Sequence, residues 1–324
     1  MFKKIVVILV ILCISGLLVS QPLEDRLKDF AGDNAKGFLQ PLANSLGAGI
    51  NSGQYVTADV LKPLRFNVRL GTTAVFIPSA DRTFMASSPS SLLYVEDEIE
   101  TGTIFGKKKG TFTGNKYTFG DREYKYSDLT LKSGDNIPFI PLPQASVSVG
   151  IPFGIEVMGR FSPSITIHED FGSFSFWGAG LKYDVDQHIP FSGILPVNIA
   201  LQGVYQNLKV GDLIDITAWN VNAIGSLDVL ILTLYGGFGY ENATLSIKYE
   251  QEILTPNPIP GEEEPIRTPV DVSLDFDAQN DFKFILGTKI TIFPFTSFYA
   301  DYSFATTKAE SISNTVNVGL SIGF

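Results

Sequence analysis

The sequence predicts an all-β fold, a transmembrane antiparallel β-barrel of ten strands with a short helical N-terminal plug. Three observations predict it. At the end of the chain Val316, Val318, Leu320, Ile322 and Phe324 alternate without a miss against Thr315, Asn317, Gly319, Ser321 and Gly323, the period of a strand with one apolar and one small or polar face. Charged residues make up 18% of the chain, below the usual ~25%, while aromatics reach 12% and glycines number 30. Lipid-facing strands, aromatic girdles and close strand crossings account for all three figures. Finally, the longest apolar run beyond the first twenty residues, Val229 to Tyr240, contains Gly236, Gly237 and Gly239 and has about half the ~20 residues a membrane helix needs. Strands, not helices, are left to cross the membrane.

Residues 1–20 read as a secretory signal. Lys3 and Lys4 precede an unbroken apolar run from Ile5 to Leu12, small residues follow at Ser15, Gly16 and Ser20, and no acidic residue occurs before Glu24. Cleavage is expected between Ser20 and Gln21, although Leu18 departs from the small-x-small rule; the alternative is a retained anchor. Cys13 lies within the apolar run, behind Val10-Ile-Leu12, the wrong context for lipid attachment. The processed chain therefore has no cysteine for disulfides or thiolate metal ligands. Removing Lys3 and Lys4 from the 24 basic residues leaves 22 against 34 acidic ones, a balance of minus 12, which argues against a nucleic-acid partner.

Residues 21–62 carry a helical period. Leu23, Leu27 and Phe30 recur at helical spacing, Asp33 or Asn34 can cap a second helix, and Phe38, Leu42 and Leu46 continue the stripe past a kink at Pro41 until Gly47. In a chain of strands this segment is expected either to plug the barrel through that stripe or to lie outside it in the periplasm. From residue 63 the period becomes that of a strand. Leu64, Phe66, Val68 and Leu70 alternate with Arg65, Asn67 and Arg69. Residues 78–144 contain no spanning strand and are assigned to a polar external loop, whose Glu96-Asp-Glu98 and Lys107-Lys-Lys109 runs read as solvated charge.

Nine further strands follow in quick succession, starting near Ala145, Gly154, Ser173, Val197, Asp215, Val229, Phe282, Ser297 and Asn314. With Leu64 to Ile77 that makes ten. Val270 to Phe276 also alternates but follows the Pro- and Glu-rich Thr255 to Pro269, so it is placed with residues 250–281 in a second external loop; counting that pair as spanning would give twelve. Both termini of a bacterial barrel lie in the periplasm, which makes the turns at Pro152-Phe153, Gly225 to Asp228 and Pro294 to Thr296 periplasmic. The terminal Leu320, Ile322 and Phe324 are the expected assembly signal, read by the outer-membrane barrel assembly machinery, with outer-membrane lipid around the strands.

If the apolar sets face lipid, the opposite sets line the lumen. They contain Arg65, Arg69, Glu156, Arg160, Lys182, Asp184, Lys283, Lys289 and Asp301, six basic and three acidic residues, together with Phe174, Phe176, Tyr235 and Ile285. Such charges either pair with one another, since an unpaired charge away from water is costly, or present a positive field to an anion such as a carboxylate or phosphate. The mixed lining suits an amphipathic acid. Catalytic signals are weak: His168 and His188, the two histidines, are expected at opposite membrane faces and share no metal or triad. No serine-nucleophile motif occurs, and no acidic cluster has the spacing of a dedicated Ca²⁺ loop. The chain is read as a non-enzyme without cofactor or metal.

The stretches Pro141-Leu-Pro-Gln144, Val149-Gly-Ile-Pro152, Gly180-Leu-Lys-Tyr-Asp184, Gln187-His-Ile-Pro190, Tyr235-Gly-Gly-Phe-Gly-Tyr240 and Gly47-Ala-Gly-Ile-Asn51 resemble an uncharacterised family of outer-membrane barrels typical of Bacteroidetes-like bacteria. A helical N-terminus ahead of a barrel is also similar in architecture to the FadL-type transporters of long-chain fatty acids, though this chain has fewer strands and no matching plug motif. That resemblance implies a barrel in the bacterial outer membrane that binds or passes a small hydrophobic or amphipathic compound. A structural or adhesive barrel acting through its external loops, or a lipid-modifying barrel enzyme, are the alternatives.

Overall fold

The structure is a computed structural model. It describes residues 27, 30, 32–168, 172–189, 196–211, 213–255, 265–307 and 312–324, with side chains described except at 163–168, 172–174 and 307. The expected signal at 1–20, with Cys13, lies outside the described residues, as does most of the first expected helix. Helix α1 spans Gly32–Ile50. The barrel strands are β1 (Phe66–Phe76), β8 (Phe139–Ile151), β9 (Ile155–His168), β10 (Gly172–Asp184), β11 (Val197–Val210), β12 (Ile214–Val229), β13 (Leu232–Thr255), β15 (Asn280–Phe293), β16 (Thr296–Thr307) and β17 (Ile312–Gly323). Each pairs antiparallel with the next in this order, and β17 pairs with β1 from Asn67 opposite Gly323 to Phe76 opposite Asn314. The sheet is closed, with ten strands.

The remaining long strand, β14 (Ile266–Asp277), is not one of them. It pairs with Thr244 to Thr255 of β13, whereas β15 pairs with Leu232 to Tyr240 of the same strand. The β13/β14 hairpin therefore rises beyond the barrel, as the sequence pattern predicts for Val270 to Phe276. One rim carries the short turns after β8, β12 and β15, the 185–196 connection and the start of β1; the opposite rim carries the 77–138 connection and the β13/β14 hairpin.

The walls are inside out relative to a soluble sheet. On β12, Trp219 and Val221 are 41% and 52% exposed while Asn220 and Asn222 are 1% exposed; on β17, Thr315, Asn317 and Ser321 are buried while Val318 faces out. Apolar side chains turned outward with amides turned inward are what a lipid solvent selects. At the short-turn rim the Phe324 ring stacks on Phe66 (5.0 Å) and Phe295 (5.8 Å), and Phe324 and Phe66 exchange both main-chain hydrogen bonds, at 2.8 and 3.1 Å. The last residue thus closes the β1/β17 seam.

Several boundaries differ from the sequence expectation. Strand β8 begins at Phe139 rather than Ala145 and takes in Pro141 and Pro143, opposite Ala74 and Thr72 of β1. Pairing with β9 extends only to Ala145, so both prolines sit where β8 is an edge, the place a strand tolerates them. The turn after β12 falls at Leu230-Ile231 rather than Gly225 to Asp228, with Leu230 at φ 56°. Nor is α1 broken at Gly47: it runs through Pro41 to Ile50. Gly49 is there for space, because a Cβ at that position would lie 2.3 Å from Leu142 Cδ1 and 2.7 Å from Val75 Cγ2.

The first external loop is more than a solvated excursion. It folds into hairpins, β2 (Thr83–Ser87) with β3 (Glu98–Gly102), β5 (Lys116–Phe119) with β6 (Arg122–Lys125), and β4 (Thr111–Phe112) with β7 (Leu129–Thr130). Leu93, Phe105, Phe112 and Leu131 are fully buried and belong to one apolar cluster with Phe30, Phe38 and Leu39. Glu96 is a staple of this cap: its carboxylate accepts the Thr113 N–H and hydroxyl at 2.6 and 2.7 Å, which holds it below the usual carboxylate range. No charge pattern announces that role.

Candidate functional site

The described N-terminal segment runs through the inside of this ring. Asn34 bonds Ser87 in the cap, the Phe38 carbonyl accepts Ile104 N–H, and Asn280 Nδ2 reaches the Asn44 carbonyl. Further along the segment, Ala58 N–H donates to Ser226 and Leu64 N–H to the Gly150 carbonyl. The chain thus descends from the long-loop rim to the short-turn rim and turns back up as β1. Phe38, Leu42 and Leu46 are buried, but so are Asn34, Asn44 and Ser45. From Pro41 to Ile50 every residue of the helix is buried, so this part is enclosed rather than laid along one wall by a stripe.

A helix that ends inside a barrel leaves its last carbonyls without partners and presents the negative end of its dipole. The segment's own next residues and the wall supply the donors. Ser52 Oγ caps Ala48 at 2.7 Å, Gln144 of β8 reaches Gly49 at 3.1 Å, and the Arg160 guanidinium of β9 spans Ile50 at 2.7 Å and Ser52 at 2.8 Å. Lys283 of β15 donates to Asn51 and pairs with Glu241 at 2.8 Å, and Arg69 of β1 donates to Gln54 at 2.6 Å. Lower down, Lys182 of β10 bonds the Asp59 carbonyl and pairs with Glu156, both at 2.8 Å, while Glu156 also accepts Leu61 N–H. Four wall cations therefore hold main-chain carbonyls of one segment.

The sequence-predicted lining divides accordingly. Arg69, Glu156, Arg160, Phe176, Lys182, Tyr235, Lys283, Ile285 and Asp301 are buried; the Arg160 guanidinium lies 5.4 Å from the Phe176 ring centre. Tyr235 and Asn317 both donate to Asp301, at 2.8 and 3.0 Å. Two expectations fail on geometry. Arg65 precedes β1 and is exposed, because the chain is still turning there, with its N–H on the Lys62 carbonyl. Asp184 ends β10, and its carboxylate accepts Asp186 N–H at 2.9 Å to hold the turn. The Phe174 side chain lies outside the described residues. His168 ends β9 at the long-loop rim and His188 follows β10 at the other, bonded to Tyr183. Counting charges also missed the neutral amides Gln144, Gln202, Gln206, Asn220 and Asn222, although their inward parity on β8, β11 and β12 marks them. Gln206 and Asn220 both donate to the Asn51 side chain, at 3.0 and 2.9 Å.

Below this layer a cavity of about 170 Å³ remains near the short-turn rim, lined among others by Gln54, Tyr55, Arg69, Lys182, Lys289 and Phe295. Among the described residues no group of three or more metal-ligating side chains occurs.

A closed ten-strand sheet, apolar outside and polar within, defines a membrane β-barrel of the outer-membrane type. The chain belongs to the family described as a family of unknown function (DUF6588), whose model matches residues 1–324. No curated protein matches the sequence. Among solved structures it is similar to the COG4313 outer membrane channel from Pseudomonas putida F1 (8% identity, 85% of this chain and 99% of that one, TM-score 0.39). Further similar structures are the translocator domain of the autotransporter NalP from Neisseria meningitidis (9% identity, 90% and 98%, TM-score 0.31) and Ail, the attachment invasion locus protein of Yersinia pestis (10% identity, 81% and 99%, TM-score 0.26).

Proposed function

We propose that the protein is an outer-membrane barrel that binds or passes a small hydrophobic or amphipathic compound, and that residues 21–62 are the plug that keeps it closed at rest. On this reading a signal at 1–20 is cleaved, the assembly machinery inserts the barrel, and the arrangement is FadL-like in having a segment inside the wall. One observation carries it: the wall cations grip the segment through its main-chain carbonyls. Such charge-assisted bonds contribute about 1.5–3 kcal/mol each, and both partners can be rehydrated on release, so the grip is one that can open. Apolar packing holds the helix as far as Ile50, whereas beyond it Asn51, Ser52, Gln54 and Asp59 are held through their carbonyls. The adhesive reading draws its support from the folded cap over the long-loop rim.

The test is a chain lacking Leu27 to Lys62, which should still assemble because every barrel strand lies beyond the deletion. In planar bilayers it is expected to conduct ions far better than the intact protein. Equal, low conductance from two fully inserted forms would refute the plug and favour a structural barrel.

A further inference from the structure

We infer that the cavity at the short-turn rim is a binding site for an oxyanion head group, a phosphate or carboxylate, held by Arg69 and Lys289. Among the described residues the Arg69 guanidinium uses only Nη2, toward the Gln54 carbonyl and Met158 Sδ, so Nε and Nη1 remain for a ligand. Lys289, half-buried on β15, lines the same cavity and is engaged by no hydrogen bond or ion pair among the described residues. The carboxylates that act on it are Asp59, an exposed residue that also lines the cavity, and Asp228, which is already bonded to Asn198 and Thr233. The other two charges of the lining, Lys182 and Glu156, neutralise each other at 2.8 Å.

Two cations with free donors on one cavity form a cradle for acceptors, and an oxyanion offers several acceptor oxygens in a compact group. Tyr55, Val56, Leu61 and Phe295 also line the cavity and give it apolar surface, with Phe295 exposed, so the first carbons of a tail would have apolar contacts. This deepens the proposed reading by naming the polar end of the compound, but the site exists in the closed barrel and needs no movement of the plug.

Phe295 is exposed on the cavity rim, so Phe295→Trp supplies a fluorescent reporter in the otherwise intact chain. In dodecyl maltoside micelles this protein is titrated with inorganic phosphate and with dodecyl phosphate. A saturable change is expected, weakened about tenfold or more when Lys289→Gln removes one charge-assisted contact and recovered by Lys289→Arg. Saturation by inorganic phosphate alone assigns the site to a free oxyanion, and saturation by dodecyl phosphate only assigns it to an amphiphile's head group. No saturable change with either probe, or an unaltered affinity in a folded Lys289→Gln protein, would overturn the inference. Should Lys289→Gln not fold, raising the salt concentration must weaken binding to the Lys289 protein by screening; salt-independent binding would equally overturn it. Because the conductance of the plug deletion is measured without either probe, the two readings fail separately.

Discussion

Replacing Arg160 by Met keeps most of the side-chain volume and removes every donor. The magnitude follows from its contacts: two bonds to main-chain carbonyls, Ile50 and Ser52, at 2.7 and 2.8 Å, with Gln144 and Gln206 also in reach. A hydrogen bond to a charged group contributes about 1.5–3 kcal/mol, so the two carbonyls alone account for roughly 3–6 kcal/mol gross. Burial of the guanidinium itself opposes this, as does water reaching the vacated space, and a net loss of about 2–4 kcal/mol is expected. It falls on the docking of the segment, since the substitution leaves the main-chain pairing of residue 160 with β8 and β10 in place. Each 1.4 kcal/mol being tenfold, the released state should gain about thirty- to several-hundred-fold in population. Hydrogen exchange at residues 47–55 should accelerate by that factor, and openings should appear in planar bilayers, while heat-dependent gel mobility stays that of a folded barrel. Exchange at 47–55 as slow as in the unaltered protein would refute the claim that Arg160 latches the helix end.

The remaining expectations concern the wall. Leu320→Arg places a charge on the lipid face of β17, where it destabilises by ~2–4 kcal/mol near the midplane; the folded fraction on unheated gels should fall, whereas Leu320→Met should leave it unchanged, and equal behaviour would mean the face is not in lipid. Deleting Phe324 removes the stacks on Phe66 and Phe295 and two main-chain bonds of the closing seam. Outer-membrane levels should drop well below those of the intact chain, and normal levels would count against a role in assembly.

Strand period was the most legible feature, because side chains of a strand between lipid and lumen must alternate. It located the ten crossings and correctly kept Val270 to Phe276 out of them. Parity, however, says which side a residue faces and not where the strand begins: Arg65 has the inward parity of Arg69 but lies in the turn before β1. The cap at 77–138 was illegible for another reason, since its core is drawn from short hairpins in which no period lasts long enough to register. The charged lining reads in the sequence as a set of pairs or as an anion receiver; Lys182 with Glu156 and Lys283 with Glu241 do pair. What the pattern could not supply was that Arg69, Arg160, Lys182 and Lys283 all face carbonyls, because main-chain acceptors have no letter in a sequence.

The direction of the chain through the barrel limits how it could ever be emptied. Its lower end is held at Leu64 by the Gly150 carbonyl of β8 and runs straight into β1, so pulling the helix outward past the cap would still leave an extended thread in the bore. A bore cleared of chain requires the opposite journey, with α1 sliding down past Arg160 and Lys182 and out beyond Phe295. Whatever is joined ahead of Gly32 would then have to follow it through. The bulk of that leading portion, rather than the strength of the latch, would set whether the bore clears completely or only half way.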